Sequence, residues 1–159
     1  MILKAAKRAN IHLMLLAALA LCLSMGVRAQ DIIVVRAMDF SRSSGIEVGV
    51  VPEWGLTAIH NAPPYTPRMN LAEYDFKAVG GTYRLEVEYA AAESRPVEIY
   101  INGSLVTSVG LSATTGGWSD GSQRWLAQTE VKLKSGQNTL VFKRSNYFPH
   151  IRAFRLIPN

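Results

Sequence analysis

The chain has 159 residues, 48% of them hydrophobic, with 17 Lys and Arg against 12 Asp and Glu and one cysteine. That length accommodates one domain with a sizeable core and does not call for a second. The lone Cys22 excludes an internal disulfide framework. In chain order, Lys4, Lys7 and Arg8 precede an apolar run from Ile11 to Val27, and Val27-Arg28-Ala29 offers small residues for a peptidase. This pattern predicts a signal peptide over residues 1–29, cleaved after Ala29. An uncleaved anchor is the rival, since the run is nearly long enough to span a bilayer. A lipoprotein at Cys22 is disfavoured by Leu21 just before it. Losing Lys4, Lys7, Arg8 and Arg28 leaves 13 basic against 12 acidic residues, a net charge of +1. The high charge of the whole chain is therefore partly a targeting signature. It gives no support for nucleic-acid binding, which shows a clustered basic face.

Residues 30–159 are expected to form a single domain, with period-two patterns throughout and no amphipathic helix. Ile32 to Met38 reads as an opening strand. Ala72 to Phe76 alternates polar and apolar side chains. Tyr83, Leu85, Val87 and Tyr89 point to one face, and Arg84, Glu86 and Glu88 to a solvated one. Val97, Ile99 and Ile101 repeat the pattern. Asn102-Gly103 is a type I′ hairpin turn, and Leu105 and Val106 begin the return strand. Trp125 to Leu133 and Thr139 to Lys143 follow, with Ser135 to Asn138 turning between them. Ile151 to Ile157 alternates to the end. Glu47 to Arg68 reads as a long irregular segment, whose prolines oppose a central strand. Short strands with regular turns predict an antiparallel β-sandwich.

Several motifs add to this, in fixed order: Gly81-Thr82-Tyr83-Arg84-Leu85-Glu86-Val87-Glu88-Tyr89-Ala90, Arg95-Pro96-Val97-Glu98-Ile99-Tyr100-Ile101-Asn102-Gly103, Thr114-Thr115-Gly116-Gly117-Trp118, Gly136-Gln137-Asn138-Thr139-Leu140 and Phe148-Pro149-His150-Ile151. Together they resemble the galactose-binding-like sandwich of carbohydrate-binding modules, most similar to families 6 and 35, over Val34 to Pro158. The resemblance implies a jelly roll of eight or nine strands and a ligand cleft at one end.

A pyranose has apolar C–H faces that stack on a rigid ring, and hydroxyls that need polar partners. Trp118 follows two glycines in a turn-rich loop, and the resemblance places its ring in the cleft; packing on the core edge is the alternative. Tyr65, held between Pro64 and Pro67, and Trp54 compete for a second wall. His150 takes the polar position after the closing proline, where many family members have Asn, and imidazole can donate and accept. Asn146 and Tyr147 could reach the same rim. Trp125 reads as a core residue, with Ala127 and Thr129 on its face, and Tyr74, Phe76, Tyr83 and Tyr89 read as core or sheet-face residues.

The resembled families commonly hold a structural calcium through acidic residues at both ends of the domain. Here Arg36, Met38 and Arg152 stand at those positions, with Asp39 alone surviving, so no calcium and no other cofactor is expected. Enzymatic signatures are missing as well. Glu86 and Glu88 share one strand face rather than flanking a cleft. There is no HExxH, no Gly-x-Ser-x-Gly elbow and no phosphate loop. Asn102-Gly103-Ser104 is a formal glycosylation sequon, read first as hairpin chemistry. The expectation is an exported protein, periplasmic or secreted, that binds a poly- or oligosaccharide without catalysis. It would have no nucleic-acid or membrane partner once the leader is removed, and room for a protein partner in the same compartment. The alternative is a structural or protein-interaction module on the same sandwich.

Overall fold

The computed structural model describes residues 30–49 and 57–159. The fold is that of Asp31–Asn159, which forms a compact unit by itself. The expected leader, residues 1–29, lies outside the described residues. Among the described residues no helix is long and apolar enough to cross a membrane.

Eleven strands are described: β1 (Ile33–Arg36), β2 (Arg42–Ser44), β3 (Ile46–Val48), β4 (Ile59–Asn61), β5 (Asn70–Ala78), β6 (Gly81–Ala90), β7 (Val97–Ile101), β8 (Ser104–Gly110), β9 (Arg124–Leu133), β10 (Gly136–Arg144) and β11 (His150–Pro158). One sheet runs β3-β4-β11-β6-β9, with β1 also paired to β11; the other runs β2-β5-β10-β7-β8. All the pairings are antiparallel. The result is the expected all-β jelly-roll sandwich, with more strands than the eight or nine expected. The surplus comes from β2, β3 and β4, each of three residues. Such strands are too short for a period-two pattern to show. β4 also sits inside the segment expected to be irregular, between β3 and β11. Its Ile-His-Asn sequence is free of proline, which cannot donate to a ladder. The opening strand is shorter than expected, because Ala37–Asp39 turns as a 3₁₀ helix.

The core is built where the inner faces of the two sheets meet. Tyr83, Leu85, Val87 and Tyr89 of β6 are buried as their alternation requires. Phe154 of β11 packs edge-on against Tyr74 and Phe142 of the opposite sheet, with ring centroids 5.0 and 5.9 Å away. The Tyr74 hydroxyl donates to the Ala37 carbonyl at 2.9 Å, so its burial leaves no orphan donor.

Two expectations fail on this sheet, one of them through a bulge. Leu85 of β6 opposes Thr129, but the next residue, Glu86, opposes Ala127. Gln128 is the extra residue. Its amide accepts from the Leu111 N–H at 2.6 Å and donates to the Leu126 carbonyl at 2.7 Å. An inserted residue reverses the inside–outside phase of everything beyond it. Leu126 therefore packs on the core opposite Val87, and Trp125 turns outward opposite Glu88. Trp125 is not a core residue; the Arg155 guanidinium lies over its ring, 4.5 Å from the centroid. Glu86, expected on a solvated face, is 9% exposed. Burial works to raise its carboxyl pKa, but hydrogen bonds and charge from Arg155 and Arg84 outweigh this and hold it below the usual range.

Asn102 and Gly103 have φ of 51° and 81°, as a type I′ turn demands. The Asn102 amide donates to Asn138 Oδ1 and accepts from the Thr139 N–H, at 2.9 and 3.0 Å. The sequon asparagine is thus engaged in fixing the hairpin against β10. Gly45 is a second glycine that its place in the fold requires. It has φ of 72°, and a Cβ there would lie 2.4 Å from Asn70 Oδ1 and 2.8 Å from the Met69 carbonyl. Asn70 is fully buried and donates to the Asn146 carbonyl at 2.6 Å, so it cannot withdraw cheaply. Gly45→Ala is expected to lower unfolding free energy by about 1–3 kcal/mol in urea titrations. An unchanged midpoint would show that the site relaxes without cost.

Candidate functional site

A cleft of about 240 Å³ opens among the strand ends and loops that carry His60, Asn61, Tyr65, Arg95, Trp118, Tyr147 and His150. Its back is made by two adjacent strands. The antiparallel pairing of Ile59 with Ile151 sets His60 beside His150, with ring centroids 5.5 Å apart. The Nδ1–H of His150 donates to the Trp118 carbonyl at 2.9 Å, and that of His60 to the Asn61 carbonyl at 2.8 Å. A carbonyl only accepts, so Nδ1 carries a proton in each ring; in a neutral imidazole so held, as at His150, Nε2 is the acceptor nitrogen. Burial lowers the His150 pKa to about 4, against the Trp118 hydrogen bond, with the charges of His60 and Arg95 acting in the same sense as burial. His150 is therefore neutral at pH 7.

The loop from Thr114 to Trp118 is shaped by its glycines. Gly116 has φ of 92°, and a Cβ on Gly117 would lie 2.5 Å from Ser122 Oγ. This tight path directs the indole inward, where it packs partly on the core and lies 5.2 Å from the His150 ring. Its face is not open. The Arg95 guanidinium lies over the ring, 3.8 Å from its centroid, and 5.5 Å from that of Tyr147. Arg95 is held there by Glu93 Oε1 at 2.8 and 3.0 Å and by the Phe148 carbonyl at 2.8 Å.

Tyr65 supplies the accessible ring, at 50% exposure. Its carbonyl accepts from the Tyr147 hydroxyl at 2.8 Å, and its own hydroxyl reaches Glu47 at 3.4 Å. Arg68 donates to the Ala62 and Pro63 carbonyls and so fixes the base of this loop. The two tyrosines are thus positioned together. Asn61 Oδ1 accepts from the Phe148 N–H at 2.6 Å, while its Nδ2 is buried with no hydrogen-bond partner among the described residues.

Of the expected site residues, Trp118, His150 and Tyr65 line this one cleft. Trp54 lies outside the described residues. Asn146 is not in the cleft lining; its Oδ1 accepts from the Tyr147 N–H at 2.8 Å, and it borders a separate polar pocket. Sequence reasoning missed Arg95, His60 and Asn61. Arg95 had one usable signal: a residue before proline is held extended, so its side chain has a fixed direction at the strand entrance. His60 and Asn61 had none, because β4 is too short to be seen.

At the positions where calcium would be held, the donor set does not fit a hard cation. Arg36 opposes Ala153, next to Arg152. Arg36 pairs with Asp39 at 2.8 Å, and Arg152 with Glu88 at 3.6 Å and with Asp120. Two cations with their own carboxylates stand where oxygen ligands would be needed. Among the described residues no group of three or more His, Cys, Asp and Glu could hold a metal ion.

The protein has the galactose-binding-like fold of carbohydrate-binding modules. No protein-family model matches the chain, and no curated protein sequence matches it. Solved structures do. A family 35 carbohydrate-binding module from Clostridium thermocellum superimposes with a TM-score of 0.66 at 18% identity, over 81% of this chain and 99% of that one. A family 35 module from Paenibacillus barcinonensis gives 0.66 at 23% identity, over 80% and 99%. The family 26 glycoside hydrolase–family 35 module β-(1,4)-mannanase of Podospora anserina matches at 0.57 and 17% identity, over 80% of this chain but 28% of its own.

Proposed function

We propose that this protein is an exported, non-catalytic carbohydrate-binding protein that holds a poly- or oligosaccharide in the cleft beside His150. The observation that carries the reading is the joint lining of one open cleft by accessible and buried aromatic rings and by polar groups of both kinds. Tyr65 and Tyr147 offer ring surface to a pyranose face. Trp118 contributes a wall and seats Arg95, rather than being the main stacking surface. Arg95 donates and the imidazole of His150 accepts, a combination suited to hydroxyls. Trp54 is retained as a further ring from the neighbouring loop. The domain fold of the family 35 modules supports the same reading.

No Asp or Glu is among the described residues lining the cleft, which supports a binding role over glycoside hydrolysis. Calcium has no part in this reading. Export, to a periplasm or beyond the cell, rests on the leader pattern of residues 1–29. Neither nucleic acid nor membrane is a partner of the mature domain in this reading. A protein-interaction role is favoured by one feature, the partial packing of Trp118 on the core. The open cleft in front of it weighs the other way.

Affinity electrophoresis of residues 30–159 against soluble plant, algal and bacterial polysaccharides tests the proposal. At least one should retard the protein, and Tyr65→Ala should weaken that binding roughly tenfold with an unchanged melting temperature. No retardation across the panel would sink the sugar-binding reading.

A further inference from the structure

A second cavity, of about 250 Å³, lies beside the cleft, lined by Pro96, Glu98, Ser108, Lys143, Arg144, Ser145 and Asn146. The two share a border at two places. Arg95 lines the cleft and Pro96 the cavity; Tyr147 lines the cleft and Asn146 the cavity. The cavity holds a cation with an incomplete set of partners. Arg144 Nε is buried with no hydrogen-bond partner among the described residues, and no carboxylate there lies within ion-pair distance of its guanidinium. One terminal nitrogen donates to the Pro96 carbonyl. Burial, and then the neighbouring Arg95 charge, lower the Arg144 pKa, with Glu93 opposing. A half-buried guanidinium in this position is costly unless an anion answers it.

The remaining groups say which anion. Lys143 stands at the rim, its Nζ 4.0 Å from Glu98, and Glu98 is itself turned to the Tyr100 hydroxyl at 2.7 Å. Ser108, Ser145 and Asn146 complete the lining. One terminal nitrogen of Arg144 is engaged by Pro96, while Lys143 stands on the neighbouring position and Ser108 on another strand. Donors that approach from several chain positions suit an anion that accepts in three dimensions. We propose that this cavity is a subsite for a tetrahedral oxyanion, a sulfate or phosphate monoester carried by the saccharide in the adjoining cleft. The saccharide part rests on the proposed sugar-binding function; the oxyanion part does not.

The test separates the two. Wild-type residues 30–159 are titrated with sodium sulfate, and separately with sodium phosphate, against sodium chloride at constant ionic strength, following backbone amides by NMR. Saturable shifts at Ser108, Ser145 and Asn146 with an oxyanion and not with chloride are expected, at least fivefold weaker in Lys143→Ala. Lys143 is partly exposed and outside the cleft, so this variant should fold. Which of the two salts saturates distinguishes sulfate from phosphate. Shifts that stay linear, or that chloride reproduces, would overturn the subsite whatever the sugar result. In electrophoresis, a sulfated galactan and a phosphomannan are compared with their desulfated and dephosphorylated forms. Preference for an esterified form, reduced in Lys143→Ala but with neutral-sugar binding intact, supports linkage to the cleft. Equal retardation of both forms in every pair overturns it.

Discussion

Trp118→Ala is expected to abolish saccharide retardation and to lower stability by about 2–3 kcal/mol. The binding loss follows from what the indole supports. Its ring seats the Arg95 guanidinium at 3.8 Å, and its loop carbonyl holds the His150 tautomer at 2.9 Å. Removing the ring frees a donor from its geometry and opens the wall between them. Central aromatic anchors of this kind commonly account for about 2 kcal/mol or more of binding, roughly thirtyfold in affinity. The stability loss follows from partial packing on the core, which places the cost below the figure of about 3–5 kcal/mol for a fully buried ring. Trp118→Phe keeps a flat surface for Arg95 and should recover most of the stability and part of the binding. Full affinity in a folded Trp118→Ala protein would move the ligand away from this cleft.

Acid should destabilise the protein through His150. The ordinary imidazole pKa is 6.5, and the folded value is about 4, chiefly because burial penalises the charged ring. Between these values the unfolded chain binds more protons than the folded one, so stability rises with pH in that window. The contribution is complete above pH 6.5 and is lost as pH falls toward 4. The span corresponds to at most about 3–4 kcal/mol, at about 1.4 kcal/mol per pH unit. Urea midpoints from pH 4 to 7 should fall on the acid side in wild type, and the slope should be reduced in His150→Gln. Saccharide binding should weaken over the acid end of the window, since a protonated ring loses its Nε2 acceptor. Identical pH slopes for the two proteins would show that His150 is solvated and titrates normally.

Particular residues show how far the sequence carries. Tyr83, Leu85, Val87 and Tyr89 alternate without interruption, and their burial follows from that pattern alone. Asn102-Gly103 announces its hairpin by chemistry, since both positions need positive φ. Trp125 was misread, because the Gln128 bulge reverses the phase of β9 and leaves no mark in the pattern of apolar residues. Glu86 was misread because its neutralising partner, Arg155, is 69 positions away. For the site, Trp118 was legible through its two glycines, and His150 and Tyr65 through their proline-bordered motifs. Asn146 was placed at the cleft rim by nearness in sequence to His150, but its Oδ1 accepts from the Tyr147 N–H and it borders the other cavity.

The sequence by itself determined the class of fold, the hairpin and most of the core, because these rest on local periodicity and turn chemistry. The tertiary structure decided which polar residues share a cleft. His60 meets His150, and Arg95 meets Trp118, only because distant strands and loops end at the same place. Such pairings depend on register, bulges and loop closure, and none of these has a period that a single segment can display.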